Sequence, residues 1–334
     1  MAQIQEGELL MARRAAECPA QFIQTDHGRF AFHVEGPADA PVVVALHGTM
    51  FSRKQWIFPS PPKDVRILAI TRPGFDESDD VPPRKFEYGM TADIVKAVLD
   101  KLAIDKFHVM GHSGGGPHAI AVKALLSPRC QRCILLAGES EYVSNPNIDP
   151  VGMNCLGPRG CCGCCGPCCL LPIAVKCMMG TCCSCSTSYK EATLKKDPPP
   201  EHYKYNLPGD LEQLGENGNE YACHFYKCMD DSMQGGLKRN GAILDFWGPK
   251  KGWNFTAKLA DGTFSGADVE IWAGEADKTV PMAVSEHNKS LIPGSTLNVA
   301  KGVGHSGMAF PVLVTERFAS LAAVQAPEQT QMPP

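Results

Sequence analysis

The sequence predicts an α/β fold with a mostly parallel sheet covered by helices on both faces. Three observations point there. Short runs rich in Val, Ile and Leu recur around residues 41–46, 65–71, 106–111 and 132–137, and again near 269 and 296. The runs at 41–46 and 65–71 are apolar at nearly every position rather than alternating, the pattern of strands buried on both sides. Helical patterns fall between them, and strand-helix alternation favours parallel pairing. The composition fits a large buried core: 334 residues, 44% hydrophobic and 20% charged, which is globular rather than disordered.

Taken in order, Met1 to Glu17 mixes Glu6, Glu8, Arg13 and Arg14 with short apolar pieces and lacks the continuous apolar run of a secretory signal. Residues 20–25 and 29–35 read as a hairpin around Asp26-His27-Gly28. The strands at 41–46 and 65–71 follow. Thr91 to Leu102 reads as a helix, with Thr91 as N-cap and Asp93 in the first turn. Ile94, Val95, Val98, Leu99 and Leu102 form its apolar face. After the strand at 132–137 the alternation stops near residue 140. It resumes at 269 and 296 and ends in a helix from Pro311 to Val324. This divides the chain into a first core segment (20–140), an insertion (141–248), a second core segment (249–324) and a polar tail (325–334) expected to be disordered.

The most informative run is Phe107-His108-Val109-Met110-Gly111-His112-Ser113-Gly114-Gly115-Gly116. An apolar strand meets a G-x-S-x-G pentapeptide, and a helix-like stretch with Ala119-Ile120-Ala121-Val122 follows. A serine on a sharp strand-to-helix turn has its hydroxyl exposed and its backbone strained. Gly111 and Gly115 leave room for such a turn. A serine nucleophile also needs a base and an acid to orient it. Two later loops offer them. In Val269-Glu270-Ile271-Trp272-Ala273-Gly274-Glu275-Ala276-Asp277 a β run ends in glycine, with an acid three residues on. In Leu297-Asn298-Val299-Ala300-Lys301-Gly302-Val303-Gly304-His305 a second β run ends in a loop carrying one histidine. Both sit just past predicted strands, where parallel sheets collect reactive groups.

On these residues the chain resembles the α/β-hydrolase superfamily of the Ser-Asp-His kind. The elbow Gly111-His112-Ser113-Gly114-Gly115, the acid loop, the base loop Gly304-His305, the loop Leu46-His47-Gly48-Thr49 and the turn Thr71-Arg72-Pro73-Gly74-Phe75-Asp76-Glu77-Ser78 stand in that family's order. The resemblance implies an α/β-hydrolase fold with a cap inserted after the sixth strand. It implies Ser113 as nucleophile, His305 as base and Asp277 as orienting acid, with Glu275 and Glu139 as competitors for the acid. It also implies an oxyanion hole from the N–H groups of Gly114 and Thr49, with Met50 one register away. His47 is expected to brace the oxyanion loop, and His112 and His118 to pack or line the pocket. Lys278 and Arg72 are expected at the surface.

The activity so implied is a serine hydrolase that cleaves a carboxylic ester or related acyl bond, without cofactor or metal. The alternatives are a carbon–carbon bond hydrolase or haloperoxidase with the same three residues, or a low-turnover ligand receptor. The expected partner is a small apolar acyl substrate. With a net charge of −4 and no basic run, nucleic acid is excluded. No stretch of 18 apolar residues is present to cross a membrane, and a cytoplasmic location is expected.

The insertion departs from the family pattern. Eleven of the 16 cysteines fall between Cys155 and Cys185. Cys162, Cys165, Cys182 and Cys185 satisfy C-x2-C-x16-C-x2-C, a zinc-site spacing, yet so dense a cluster yields such a match by chance. S-acylation beside Leu170-Leu171-Pro172-Ile173-Ala174-Val175 would attach the protein peripherally to a membrane, and an insertion with no dedicated role is the third reading. Farther on, Tyr221–Met229 and Gly235–Trp247 read as helices, the latter resembling a helical lid. Their aromatic residues, with Met229 and Met233, fit either an apolar acyl pocket or ordinary core.

Overall fold

Strands that are apolar at every position require cover on both faces, and the fold supplies it. The computed structural model describes residues 2–148, 208–215, 221–222, 224–225, 228, 240–256, 259 and 264–325. Its strands are β1 (Gln21–Thr25), β2 (Gly28–Glu35), β3 (Val42–Leu46), β4 (Arg66–Ile70), β5 (Phe107–His112), β6 (Cys130–Leu136), β7 (Val269–Gly274) and β8 (Thr296–Ala300). The main helices are α1 (Ala2–Glu17), α2 (Gly89–Lys101), α3 (Gly116–Leu125), α4 (Pro208–Glu212), α5 (Gly241–Lys251), α6 (Met282–Leu291) and α7 (Pro311–Gln325). The eight strands form one sheet in the order β1-β2-β4-β3-β5-β6-β7-β8. β2 pairs antiparallel with β1 and β4, and every other pairing is parallel.

Strand β3 shows why. All five of its side chains are buried. Val42, Val44 and Leu46 enter one core with Val95, Val98, Ile120 and Val122 of α2 and α3. Val43 and Ala45 enter a second core with Leu313, Val314, Phe318 and Leu321 of α7. Each fully buried aliphatic side chain contributes about 1.5–3 kcal/mol. A one-residue slip of β3 would exchange its side chains between two differently shaped cores.

Three local expectations change. First, α1 is a full helix. Met11 and Cys18 pack on Ile57, and Arg14 pairs with Glu35 and donates from Nε to Phe58 O at 3.1 Å. Second, α2 starts at Gly89, so Thr91 is not its cap. Thr91 is buried in the first turn with its hydroxyl 2.6 Å from His118 Nδ1. Third, α5 runs past Trp247 to Lys251. Gly248 does not end it: a Cβ there would stand 2.6 Å from Tyr88 Oη, so the glycine permits close packing. Gly252, at φ +86°, closes the helix.

The cysteine-rich segment 155–185, Met229, Met233 and the tail beyond 325 lie outside the described residues. The helical residues Tyr221, Phe225 and Cys228 are core rather than pocket lining. The Tyr221 ring stacks on Phe58 with centroids 5.5 Å apart, and its hydroxyl donates to Gln55 O at 3.1 Å. Among the described residues no helix is long and apolar enough to cross a membrane.

Candidate active site

Strand β5 ends at His112, and Ser113 makes the turn into α3 with φ +52°. A non-glycine residue held there stores on the order of 1–3 kcal/mol. Close packing fixes the turn. A Cβ on Gly111 would collide with Gly115 O, and one on Gly115 would lie 2.5 Å from Leu46 O. The Ser113 carbonyl is held by the Glu139 N–H at 3.0 Å.

The loops after β7 and β8 bring two further side chains to this turn. Ser113 Oγ lies 2.9 Å from His305 Nε2, and His305 Nδ1 lies 2.8 Å from Asp277 Oδ2. Asp277 is buried, and its Oδ1 accepts from the N–H groups of Thr279 at 2.7 Å and Val280 at 2.9 Å. With the carboxylate so fixed, His305 donates from Nδ1 and presents Nε2 to the serine hydroxyl. Glu275 is exposed and accepts from Gly302 N–H at 2.9 Å. Glu139 meets Ser113 through its backbone.

The loop after β3 carries Gly48, Thr49 and Met50, the last at φ +67°. Thr49 lies over Gly114: a Cβ on Gly114 would collide with Thr49 Oγ1 and stand 2.9 Å from Asp245 Oδ2. The Thr49 hydroxyl donates to Asp245 Oδ2 at 2.8 Å.

Asp245, on α5, is the residue the sequence reading missed. It corrects the expectation for Arg72, which is not at the surface but 1% exposed. Arg72 donates from Nη1 and Nη2 to the two Asp245 oxygens at 2.5 and 2.8 Å and from Nε to His47 O at 2.9 Å. Its guanidinium lies 4.8 Å from the Phe75 ring centroid. Burial alone would raise the Asp245 carboxyl, but the Arg72 charge and the hydrogen bonds it donates hold the carboxyl far below the usual range. The pair is thus neutral overall beside Gly114. Lys278 is exposed, as expected.

The other histidines near the site are structural. His47 Nε2 accepts from Arg72 N–H at 2.9 Å, and its Nδ1 donates to Gly48 O at 2.7 Å. His118 Nε2 accepts from Arg72 Nη1 at 3.0 Å. Burial, with Arg72 beside it, lowers the His118 pKa to about 4.

Among the described residues one group of donor atoms has metal-like spacing: Cys18, His33 and Glu35, within 4.8 Å. Two guanidiniums already serve it. Arg14 pairs with Glu35, and Arg53 Nη1 donates to Cys18 O at 2.9 Å and reaches His33 Nδ1 at 3.4 Å. Burial, then Arg53 and Arg14, lower the His33 pKa to about 3. A divalent ion would face two fixed positive charges, so the cluster is a tether between α1 and β2.

A family model described as the alpha/beta hydrolase fold matches residues 41–153. That segment holds β3, the Arg72 turn and the whole Ser113 elbow, and the sheet has the strand order set out above. The chain has the α/β-hydrolase fold. Among the relatives of this chain is the carboxylesterase YbfK of Bacillus subtilis, 27% identical over 149 residues, which are 43% of this chain and 50% of that protein. Another is 2-hydroxy-6-oxononadienedioate/2-hydroxy-6-oxononatrienedioate hydrolase 1 of Pseudomonas putida, 30% identical over 108 residues, 30% of this chain and 38% of that protein. The chain thus spans half or less of these curated relatives. The crystal structure of the B. subtilis carboxylesterase superposes with a TM-score of 0.55 at 17% identity, covering 96% of this chain and 98% of that one. This last likeness is one of fold.

Proposed function

We propose that the chain is a serine hydrolase that cleaves a carboxylic ester through an acyl-enzyme on Ser113. The observation that carries this is the hydrogen-bonded series Ser113–His305–Asp277 at 2.9 and 2.8 Å, with its serine on a strained turn. His305 Nε2 takes the Ser113 proton as Oγ attacks the carbonyl carbon. Asp277 holds the resulting imidazolium by accepting from Nδ1–H. The N–H groups of Gly114 and Thr49 receive the negative oxygen. His305 then protonates the leaving alcohol, and water repeats the sequence on the acyl-enzyme. Similarity to a carboxylesterase supports the ester as substrate. A second reading draws on the likeness to the dienedioate/trienedioate hydrolase: carbon–carbon bond hydrolysis by the same three residues.

The test is fluorophosphonate labelling of the purified chain beside Ser113→Ala, together with a p-nitrophenyl ester series of increasing acyl length. The expected result is labelling that requires Ser113 and steady ester turnover. Labelling without turnover would turn the search to the dienedioate class. No labelling of folded protein overturns the proposal.

A further inference from the structure

The residue before the nucleophile has a fully specified hydrogen-bonding environment that the mechanism above does not use. Its logic starts in the oxyanion loop. The Gly48 N–H donates to Gln55 Oε1 at 2.8 Å. That donor fixes the Gln55 amide, because only its oxygen can accept. The Gln55 nitrogen therefore faces His112 Nδ1, at 3.0 Å, and donates to it. With Nδ1 accepting, the His112 proton sits on Nε2, which points to the His305 carbonyl at 3.3 Å. Gln55 and His112 are 0% and 1% exposed. A Cβ on Gly48 would lie 2.9 Å from His112 Nδ1 and 3.2 Å from Ser113 Cβ, so the imidazole fills the space between loop and nucleophile. The His112 and His305 ring centroids are 5.0 Å apart.

We infer that His112 is a positioning residue: a neutral, single-tautomer imidazole that joins the oxyanion loop, through Gln55, to the backbone of the base His305. The inference rests on the serine-hydrolase reading of the site. Ester hydrolysis needs the Thr49 donor and the base set at the same moment, and they lie on the loops that follow β3 and β8. The relay Gly48–Gln55–His112–His305 spans them directly. His112 stays neutral while the base beside it cycles through its charged form. Burial, then the His305 charge, keeps it well below the ordinary histidine range. A relay of this kind serves the chemical step and leaves substrate binding alone.

The experiment compares the full chain with His112→Phe and Gln55→Leu, which keep volume but remove the hydrogen bonds. The measurements are the rate of fluorophosphonate labelling, kcat and KM for a p-nitrophenyl ester, and 15N spectra of the histidine rings against pH. Each substitution is expected to lower kcat and the labelling rate about a hundredfold, the scale of a small misplacement of reacting groups, with KM within about twofold. The double variant should be little worse than either single one. In the parent chain the His112 signal should show a proton on Nε2 and no titration between pH 5 and 8, and Gln55→Leu should abolish that fixed tautomer. Unchanged kcat and labelling in Gln55→Leu, or a His112 that titrates or carries its proton on Nδ1, overturns the inference. If His112→Phe does not fold, Gln55→Leu and the parent spectrum decide. A parent chain that is never labelled at Ser113 sinks the hydrolase reading instead, and the ring spectrum still decides the relay.

Discussion

Gly114 and its neighbour Gly115 face different walls, and the difference sets what each tolerates. A Cβ on Gly114 meets the Thr49 hydroxyl and the Asp245 carboxylate, both ends of side chains. A Cβ on Gly115 meets backbone, Leu46 O at 2.5 Å and His47 O at 2.7 Å, which cannot move aside. Gly114→Ala is therefore expected to fold, with Thr49 displaced and kcat reduced about 10²–10³-fold, the scale of one lost oxyanion donor. Gly115→Ala is expected to lose the soluble fold. Ester kinetics and thermal melting of the two variants check both, and a fully active Gly114→Ala would remove Thr49 from the oxyanion role. At this scale the sequence was informative because the chemistry is local. A serine on a strand-to-helix turn, an acid three residues past one strand and a histidine past the next can each be read within about a dozen residues.

Asp245 illustrates what such windows miss. Its partners Arg72 and Thr49 are 173 and 196 positions away, across a stretch with no regular period. The turn Thr71-Arg72-Pro73-Gly74 has the composition of an exposed loop, yet α5 covers it. One signal was present: a lone acid in the otherwise apolar start of α5, Gly241-Ala242-Ile243-Leu244-Asp245-Phe246-Trp247, where an unpaired charge would be costly. The Arg72 and Asp245 side chains are 1% and 3% exposed, so breaking the pair should destabilise strongly. Arg72→Met alone is expected to cost about 3–5 kcal/mol, and Arg72→Met with Asp245→Leu to recover most of it. Urea denaturation of the two variants makes the comparison. A single variant as stable as the parent would show that the pair carries no such load.

Over the whole molecule, buried neutral histidines tie stability to pH. Burial, with nearby cations, lowers His33 to about 3 and His108 and His118 to about 4. In the unfolded chain each titrates near about 6.5. Their contribution is therefore complete above about pH 6.5 and is lost as pH falls toward 4, because the unfolded state binds protons first. Unfolding free energy should be flat between pH 7 and 8 and then fall, each histidine adding up to about 1.4 kcal/mol per pH unit. His108 is the sharpest case, since neither ring nitrogen has a protein partner among the described residues. His108→Leu is expected to raise stability at pH 7 by about 1 kcal/mol and to shallow the acid slope. Denaturation at pH 5 and 7 tests this, and an unchanged slope would remove His108 from the account. At this scale the strand list was legible because continuous apolar runs have few other uses. Helix α1 was not, since the stripe it buries, Met11, Arg14, Ala15 and Cys18, has a charged residue in its middle.

The start of α5 is joined firmly to the loop that follows β4. Gly241 N–H donates to Gly74 O at 2.8 Å, and a Cβ on Gly74 would lie 2.5 Å from Gly241 N. Asn240 adds bonds to Asp80 Oδ1 at 3.0 Å and Val81 O at 2.6 Å. For anyone wishing to transplant a foreign insertion onto this fold, that fixes the downstream suture. The graft should end before Asn240, leaving α5 with the recipient, because a graft that carried the helix away would take Asp245 with it and leave the Arg72 cation bare behind Gly114.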